Sequence, residues 1–466
     1  MIRKEHKPDM QEIKAKISDI LEKITSEAFF FYYIVFVMIS LPVTEIFDEM
    51  HSNCFVSQPI IVEMAGYVGI ITFIVHFLKH QGIRYYLTDV LYLLLFIFAL
   101  LSALFTQDKD ATWFGFYYDE WFSNFIGYFS LMLAGTMIQE KQLRKSIIKT
   151  FLVVTAIQVT ISIFQTFGII IIEPNRGSEI TIQRKIAYGL TQNSNWYGGL
   201  SVLLFACTAG IFLFTSNKIT RNIMYVISML CFYTLISSEA RLAWVGTLTF
   251  IIFLIVSIIV MKRKGFDKEK IKSIKKRLLL LLAGMTTVII ICIVFFERII
   301  NRLNKTSSEL NSGFDKIGSG RGRIWIQGIK ALPKYWLFGI GLDNYKDTYL
   351  KDPDFKEGIY YGKAHNEYLH YLVTQGIFQF ATYISLLVYA AKTAVRNVIH
   401  NEDNEERFIN WIFLGMFFGY IGQAFFNSSV VNIVPYFWIT IGMLLTKKNQ
   451  RHFGYHKMNK AVSEKK

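Results

Sequence analysis

The densest polar chemistry of this chain outside its apolar runs lies between residues 297 and 366. Twelve Lys/Arg residues fall there, among them Arg298, Arg302, Arg321 and Arg323, with several Asp and Glu, and His365 at the end. A guanidinium is a planar fork of donors suited to phosphate oxygens. A neutral histidine can take a proton from a hydroxyl. The middle of the stretch, Gly318-Ser-Gly-Arg-Gly-Arg-Ile-Trp, reads as a glycine-rich turn followed by a short amphipathic helix. Trp325, Ile329 and Leu332 share one side of that helix. A phosphate loop is a weak reading of the turn: no strand precedes it and no Lys-Ser/Thr pair follows. A flexible turn is the plainer one. A second glycine turn follows, Leu337-Phe-Gly-Ile-Gly, and Lys363-Ala-His-Asn-Glu closes the stretch. A lone loop histidine is more often an ordinary hydrogen-bonded residue than a catalyst. His370, five residues on from His365, falls on another helical face, and the spacing is not H-E-x-x-H, so a zinc site is rejected.

Other residues point to the same face. Arg241, in Ser237-Ser-Glu-Ala-Arg, opens an apolar helix. It either snorkels to the interface or joins the loop chemistry. Asn193 and Asn195 precede another apolar run, as helix caps or as sugar ligands. Asp108, Asp110, Asp119 and Glu120 flank Trp113, Phe114, Phe116, Tyr117 and Tyr118, which read as an interfacial belt or, less readily, as sugar-stacking rings. Glu45 and Glu63 lie near the ends of the first two apolar runs. Carboxylates there are costly unless paired; an arginine of the long loop is the expected partner, and a catalytic base the sharper alternative.

The elements that must hold these groups are membrane spans. The chain has 466 residues, 53% hydrophobic and 18% charged, against roughly 25% charged in a typical soluble domain. Mean hydropathy is +0.34. Apolar runs of about 18 residues read as spans. A soluble enzyme, a disordered chain and a disulfide scaffold are excluded. Four scattered cysteines, Cys54, Cys207, Cys231 and Cys292, show no metal-ligand spacing. Twelve spans are expected, near 28–46, 59–78, 88–106, 122–138, 151–172, 195–215, 222–238, 242–261, 278–296, 367–391, 408–428 and 431–446. The fold class is therefore an all-α integral membrane protein with one large loop containing short helices. Residues 1–27 form an amphipathic segment, 28–296 carry nine spans, 297–366 the loop, 367–446 three more spans and 447–466 a basic tail.

The net charge is +15. With the amino terminus inside, 33 Lys/Arg fall in the inside gaps and five in the short outside gaps. By the positive-inside rule both termini are cytoplasmic and the long loop is external. The excess charge is thus topology, not nucleic-acid binding. Ile13, Ile17, Ile20, Leu21 and Ile24 share a helical face suited to the inner leaflet. No cleavage site follows the first span, so it is read as a signal anchor. Gly415-x-x-x-Gly419 suggests a close helix contact.

Several short motifs in order resemble the O-antigen ligase and O-antigen polymerase superfamily: Ser319-Gly-Arg321-x-x-x-Trp325, Phe338-Gly-Ile-Gly-Leu, Ala364-His365-Asn366-x-Tyr-Leu369 and Gly376-Ile. Ser-Glu-Ala-Arg241 is similar to that family's Ser-x-Ser-Arg element, and Asn193-Ser-Asn195 to its Asn-Pro-Asn element, with Glu239, Ala240 and Ser194 as departures. The motifs cover roughly residues 185–385. The resemblance implies a GT-C-like fold and glycosyl transfer from a polyprenyl-pyrophosphate-linked glycan, inverting, with no metal, nucleotide or other cofactor. It also implies roles. Arg241 and Arg321 stabilise the leaving pyrophosphate, His365 receives the acceptor's proton, and Arg323, Asn366, Asn193, Asn195 and Trp325 hold substrate.

The expected partners are the lipid-linked donor, a glycan acceptor and membrane lipid, with a flippase and a chain-length regulator alongside. A polymerase of lipid-linked repeats on the outer face of a bacterial plasma membrane is favoured, since the Ile-, Lys-, Tyr- and Asn-rich composition suggests an AT-rich genome and a cell without lipopolysaccharide. The alternatives are a ligase and, from another class, a lipid-linked oligosaccharide transporter. A transporter places its chemistry at the midplane, whereas here it gathers in a loop.

Overall fold

A computed structural model describes residues 10–50, 57–79, 82–115, 120–173, 178–191, 193–296, 298–349 and 361–457. The apolar runs are helical, as they must be where no water is present to satisfy a backbone N–H or C=O. After α1 (Met10–Ile24) come α2 (Glu27–Met50), α3 (Ser57–Lys79), α4 (Leu87–Phe105), short α5 (Lys109–Phe114) and α6 (Phe122–Met137). Then follow α7 (Lys141–Thr166), short α8 (Ser178–Gln183), α9 (Ser194–Phe214), α10 (Lys218–Ser237), α11 (Arg241–Arg263) and α12 (Lys268–Phe296). The long loop folds into α13 (Arg298–Asn311) and α14 (Ile317–Tyr335), and α15 (Glu367–His400), α16 (Asn404–Gln423) and α17 (Val434–Leu444) complete the bundle.

All twelve expected runs are helices. Ten are long and apolar enough to cross a membrane: α2, α3, α4, α7, α9, α10, α11, α12, α15 and α16. The other two, α6 and α17, are shorter. At 1.5 Å per residue, α17 reaches about 17 Å, roughly half of a hydrocarbon core. Both are almost wholly buried; they pack on each other, and α6 also packs on α3. The span of α9 is 94% buried and that of α12 only 22%, so α9 is the hub and α12 the periphery. Paired glycines set three close crossings. A Cβ on Gly66 of α3 would meet Gly127 of α6 at 2.9 Å, one on Gly135 of α6 would meet Gly442 of α17 at 2.9 Å, and one on Gly246 of α11 would meet Gly419 of α16 at 2.9 Å. The Gly415/Gly419 pair therefore serves a contact inside the chain.

Between α16 and α17 the backbone leaves the helix while remaining buried from Asn427 to Ile433. Irregular backbone at such depth persists only where protein surrounds it. Here Asn432 donates to Gln58 at 2.6 Å, and Tyr436, just beyond, donates to the Met38 carbonyl at 2.9 Å. A strand pair absent from the sequence reading joins β1 (Gly82–Tyr86) antiparallel to β2 (His452–Lys457). Partners some 370 residues apart leave no local pattern to read.

The two ends of the bundle differ in chemistry. At one end gather the starts of α9, α11 and α15 with α13 and α14. At the other, Arg144 of α7 is buried and bonded to Glu406, to Asn410 at 3.3 Å and to the Met443 carbonyl at 3.0 Å. Around it Lys448 meets Glu406 at 2.6 Å, Lys141 meets Asp403 at 2.9 Å and Lys145 meets Glu405 at 2.6 Å.

Candidate functional site

The loop helices fold back over the starts of the spans because two glycine devices allow it. Gly318, Ser319 and Gly320 all adopt left-handed φ (68°, 64° and 90°), reversing the chain between α13 and α14. Only glycine enters that region without penalty, so Ser319 needs support. It has it: its N–H donates to Glu309 at 3.0 Å and its hydroxyl accepts from Arg241 at 2.9 Å. Further on, Gly339 (φ 79°) lies so close to α15 that a Cβ would meet the Thr374 carbonyl group at 2.2 Å. The adjacent Ile340 and Gly341 N–H groups donate to Val373 and Thr374, both at 2.9 Å. α15 kinks at Gly376 (φ 80°), whose neighbour Ile377 donates to Trp336 at 2.8 Å.

These devices bring Asn195, Arg241, Arg302, Ser319, Arg321, Tyr361 and His365 around one cavity of about 160 Å³. Small-molecule pockets usually run to about 300–1,000 Å³. The space suits a compact anionic group; an oligosaccharide would extend outside it.

Arg241 stands at the first position of α11. It pairs with Glu309 at 2.6 Å and also donates to Thr306 at 3.1 Å. Burial pushes the Glu309 carboxyl up, but the Arg241 ion pair and the Ser319 donors outweigh it and hold it below the usual range. Arg321 opens the helical part of α14 and donates to the Phe426 carbonyl at 2.7 Å. Burial, then the neighbouring Arg241 and Arg302, bring its guanidinium down to about 10, still protonated at neutral pH. Three arginines thus share the cavity, and Glu309 is the one carboxylate in ion-pair contact with any of them among the described residues.

His365 has a left-handed backbone (φ 49°), uncommon outside glycine. Its N–H donates to the Ser428 hydroxyl at 3.0 Å. Burial, then the charges of Arg321 and Lys363, lower its imidazole to about 3, so the ring is neutral. Lys363, two residues earlier, is buried against Glu120 and the Ser429 carbonyl. Glu120 also accepts from Tyr128 at 2.9 Å. The buried segment between α16 and α17 therefore forms the floor: Phe426, Ser428 and Ser429 supply acceptors to Arg321, His365 and Lys363.

The remaining expected residues are placed as follows. Asn195 lines the cavity. Asn193 caps α9 through the Asn195 N–H at 2.9 Å, and Asn366 caps α15 through the Leu369 N–H at 3.0 Å. Their side-chain carbonyls are thus engaged in helix starts. Trp325 donates to the Ala364 carbonyl at 2.9 Å and packs between Phe314 and Phe426, bracing the segment before His365. Arg323 is exposed and does not line the cavity. On α14 the buried face is Ile324, Gln327 and Gly328, while Ile329 is exposed, so the buried side is turned by about one residue from the expected one.

Of the two carboxylates expected to pair with a loop arginine, Glu63 has other partners. Glu63 accepts from Tyr67 at 2.7 Å and Ser123 at 2.8 Å. Those hydroxyls are close by in sequence and fold, and no arginine is needed. Asp108 caps α5 and pairs with Lys346 at 3.1 Å. The side chain of Glu45, Cys54 and residues 116–119 lie outside the described residues. Sequence reasoning missed Glu309 and the 426–429 floor. The signal for the first was a helix periodicity in 298–311 that the loop reading passed over.

Residues 226–384 match the family model described as O-Antigen ligase. The match runs from α10 into α15 and contains Arg241, Arg302, Glu309, Arg321 and His365; Asn193 and Asn195 precede it. Over that part of the chain it supports the resemblance to the O-antigen ligase and polymerase superfamily. No curated protein matches the chain significantly.

Proposed function

We propose that this protein, which matches the O-antigen ligase model over residues 226–384, joins polyprenyl-pyrophosphate-linked oligosaccharide repeats into a surface polysaccharide such as a capsule, exopolysaccharide or wall polymer. The observation supporting this reading is the meeting of arginines 241, 302 and 321 with a neutral His365 in one cavity too small for a glycan. The acceptor hydroxyl attacks the anomeric carbon of the donor sugar from the face opposite the diphosphate. The carbon–oxygen bond to diphosphate breaks as the new glycosidic bond forms. Negative charge grows on the departing diphosphate, and pre-placed cations in a low-dielectric cavity stabilise it most at that moment. Arg321 and Arg241 supply that field. The hydroxyl proton passes to His365. Among these cations alone that ring is a weak base. A bound diphosphate brings the negative charge that raises its proton affinity toward the working pH. Asn195 lies where the first sugar would meet the cavity.

The same reading places the site on the extracytoplasmic face of a bacterial plasma membrane, with both termini cytoplasmic. Its support is the 33-to-5 distribution of Lys/Arg, whose rich gaps lie at the end of the bundle away from the cavity. A flippase that delivers the donor and a chain-length regulator are the partners such a cycle calls for. The test is transfer by purified protein in nanodiscs, given lipid-linked repeats from its own host without nucleotide or added metal. A ladder of lipid-linked products, lost in Arg321→Ala and His365→Ala, is the expected result. A single transfer that appears only with an added non-repeat acceptor would make the protein a ligase. No transfer to any acceptor, with folding and substrate binding demonstrated, would sink the enzymatic reading.

A further inference from the structure

The three cavity arginines are not equally available. Each guanidinium has five N–H donors. Both terminal nitrogens of Arg241 already meet two acceptors each: one meets Thr306 at 3.1 Å and Glu309 at 2.6 Å, the other Ser319 at 2.9 Å and Glu309 at 3.4 Å. Arg241 can lend its charge, but its fork is engaged. Arg321 commits one nitrogen, to Phe426. Arg302 is the opposite case. It lines the cavity, and among the described residues its guanidinium has no hydrogen-bond or ion-pair partner. Its Nε is buried without an acceptor. The Nε of Arg144 is in the same position, but the terminal nitrogens of Arg144 are bonded, whereas Arg302 has no acceptor on any nitrogen among the described residues, which is rare for a buried donor group.

The helix that carries Arg302 fits that view. Residues 302, 306 and 309 are spaced by four and three, so they share one face of α13. Thr306 and Glu309 on that face grip Arg241, and Thr306 also ties back to the Arg302 carbonyl at 2.8 Å. The face is therefore fixed in register against α11, with Arg302 one turn along and its fork unoccupied. Burial, then the charge of Arg241, lowers its guanidinium below the ordinary value. An anion arriving in the cavity relieves both costs.

We propose that Arg302 is a direct ligand of the diphosphate leaving group, completing with Arg321 a two-fork grip that Arg241 and Glu309 frame. This rests on the proposed function, and it adds a residue that neither the motifs nor the loop pattern singled out. The expectation is that Arg302 contributes both to binding diphosphate and to stabilising it as it departs.

The experiment measures inorganic pyrophosphate binding to the full-length protein in nanodiscs by calorimetry, together with transfer kinetics, for native protein and four variants. Arg302→Gln removes charge and fork, Arg302→Lys keeps the charge alone, Arg321→Ala is the reference, and Lys305→Gln, exposed on the same helix, is the control. Thermal midpoints establish that each variant folds. Arg302→Gln is expected to weaken pyrophosphate about tenfold or more and to lower kcat as well as raise KM, since charge-assisted hydrogen bonds are the strong ones. Arg302→Lys is expected to recover only part of the loss, because a point charge does not replace a fork. Native affinity in Arg302→Gln, with binding lost in Arg321→Ala, would overturn the proposal. So would full recovery in Arg302→Lys, which would reduce Arg302 to a distant charge. If native protein binds no pyrophosphate and Arg321→Ala transfers normally, it is the functional reading that fails, and this proposal with it.

Discussion

The two ends of the bundle are built from the same residue types and use them oppositely. At the α7–α16 end, the buried Arg144 finds Glu406, Asn410 and the Met443 carbonyl, and its neighbours Lys141, Lys145 and Lys448 each meet a carboxylate. At the α11–α14 end, three arginines share one cavity, where Glu309 pairs with Arg241. Removing charges from water is costly unless they are matched. The matched end therefore reads as a structural lock. In the proposed function, the under-matched end holds cations at a cost that a bound diphosphate would offset. Arg241 has as many acceptors as Arg144, so the contrast between the ends lies in Arg302 and Arg321.

Substitutions sharpen that contrast. The largest expected effect is Arg321→Ala, which should lower the transfer rate about 10²–10³-fold, the scale for one pre-placed donor to a developing oxyanion. Its thermal midpoint should stay near native, and single-turnover assays beside melting curves check both. Arg144→Met should do the reverse. Leaving Glu406 buried with one partner fewer costs about 3–5 kcal/mol, seen as a lower midpoint, while transfer per folded molecule is unchanged. If Arg144→Met lost transfer without losing stability, the division between the two ends would collapse.

The pH dependence provides a finer test. With its imidazole lowered to about 3, His365 stays neutral as pH falls through 6.5. The kcat/KM profile, which reports free enzyme, should therefore show no histidine limb between pH 5 and pH 7. Arg321→Gln removes one of the charges that lower the ring, so the acid limb should move up in that variant. A limb near 6.5 in native protein would mean that neither burial nor the cavity charges hold His365 down. Smaller still is Gly320→Ala. No other atom lies near a Cβ built there, so the cost is backbone strain alone, about 1–2 kcal/mol at φ 90°. A modest loss of both stability and transfer should follow, and calorimetry with a rate assay reads them. Least is Lys141→Ala on the matched end, where an exposed pair should leave the midpoint unmoved.

Much of the frame was legible in the sequence because a span announces itself by length and apolarity. Each of the twelve expected runs is a helix. What did not show was that α6 and α17 are buried inserts: a window of apolar residues does not say whether protein or lipid surrounds it. The site divides in the same way. Arg241, Arg321 and His365 were found through short motifs, and the structure brings all three to one cavity although 124 positions separate the first from the last. Arg302 and Glu309 went unassigned because the stretch holding them was taken as loop. Once 298–311 is a helix, the spacing of 302, 306 and 309 is plain. Asn193 and Asn366 show the converse limit. A residue that can cap a helix or touch a sugar reads the same in sequence, and here both side chains cap. The acceptors from Phe426 to Ser429 are beyond any such reading, since two of them act through backbone carbonyls, which carry no residue signature.

That floor also bears on how the protein is made. α17 has 11 residues, and the segment before it contains Asn427, Ser428, Ser429 and Asn432. Neither is long and apolar enough to partition into a bilayer alone. Both enter the membrane against surfaces already present, α6 and the start of α2–α3 among them. Biogenesis thus runs from autonomous insertion of the long spans to a dependent last step at the carboxyl end. The floor of the cavity is finished only then, so a ribosome that stalls late leaves a membrane-embedded chain whose cavity is incomplete.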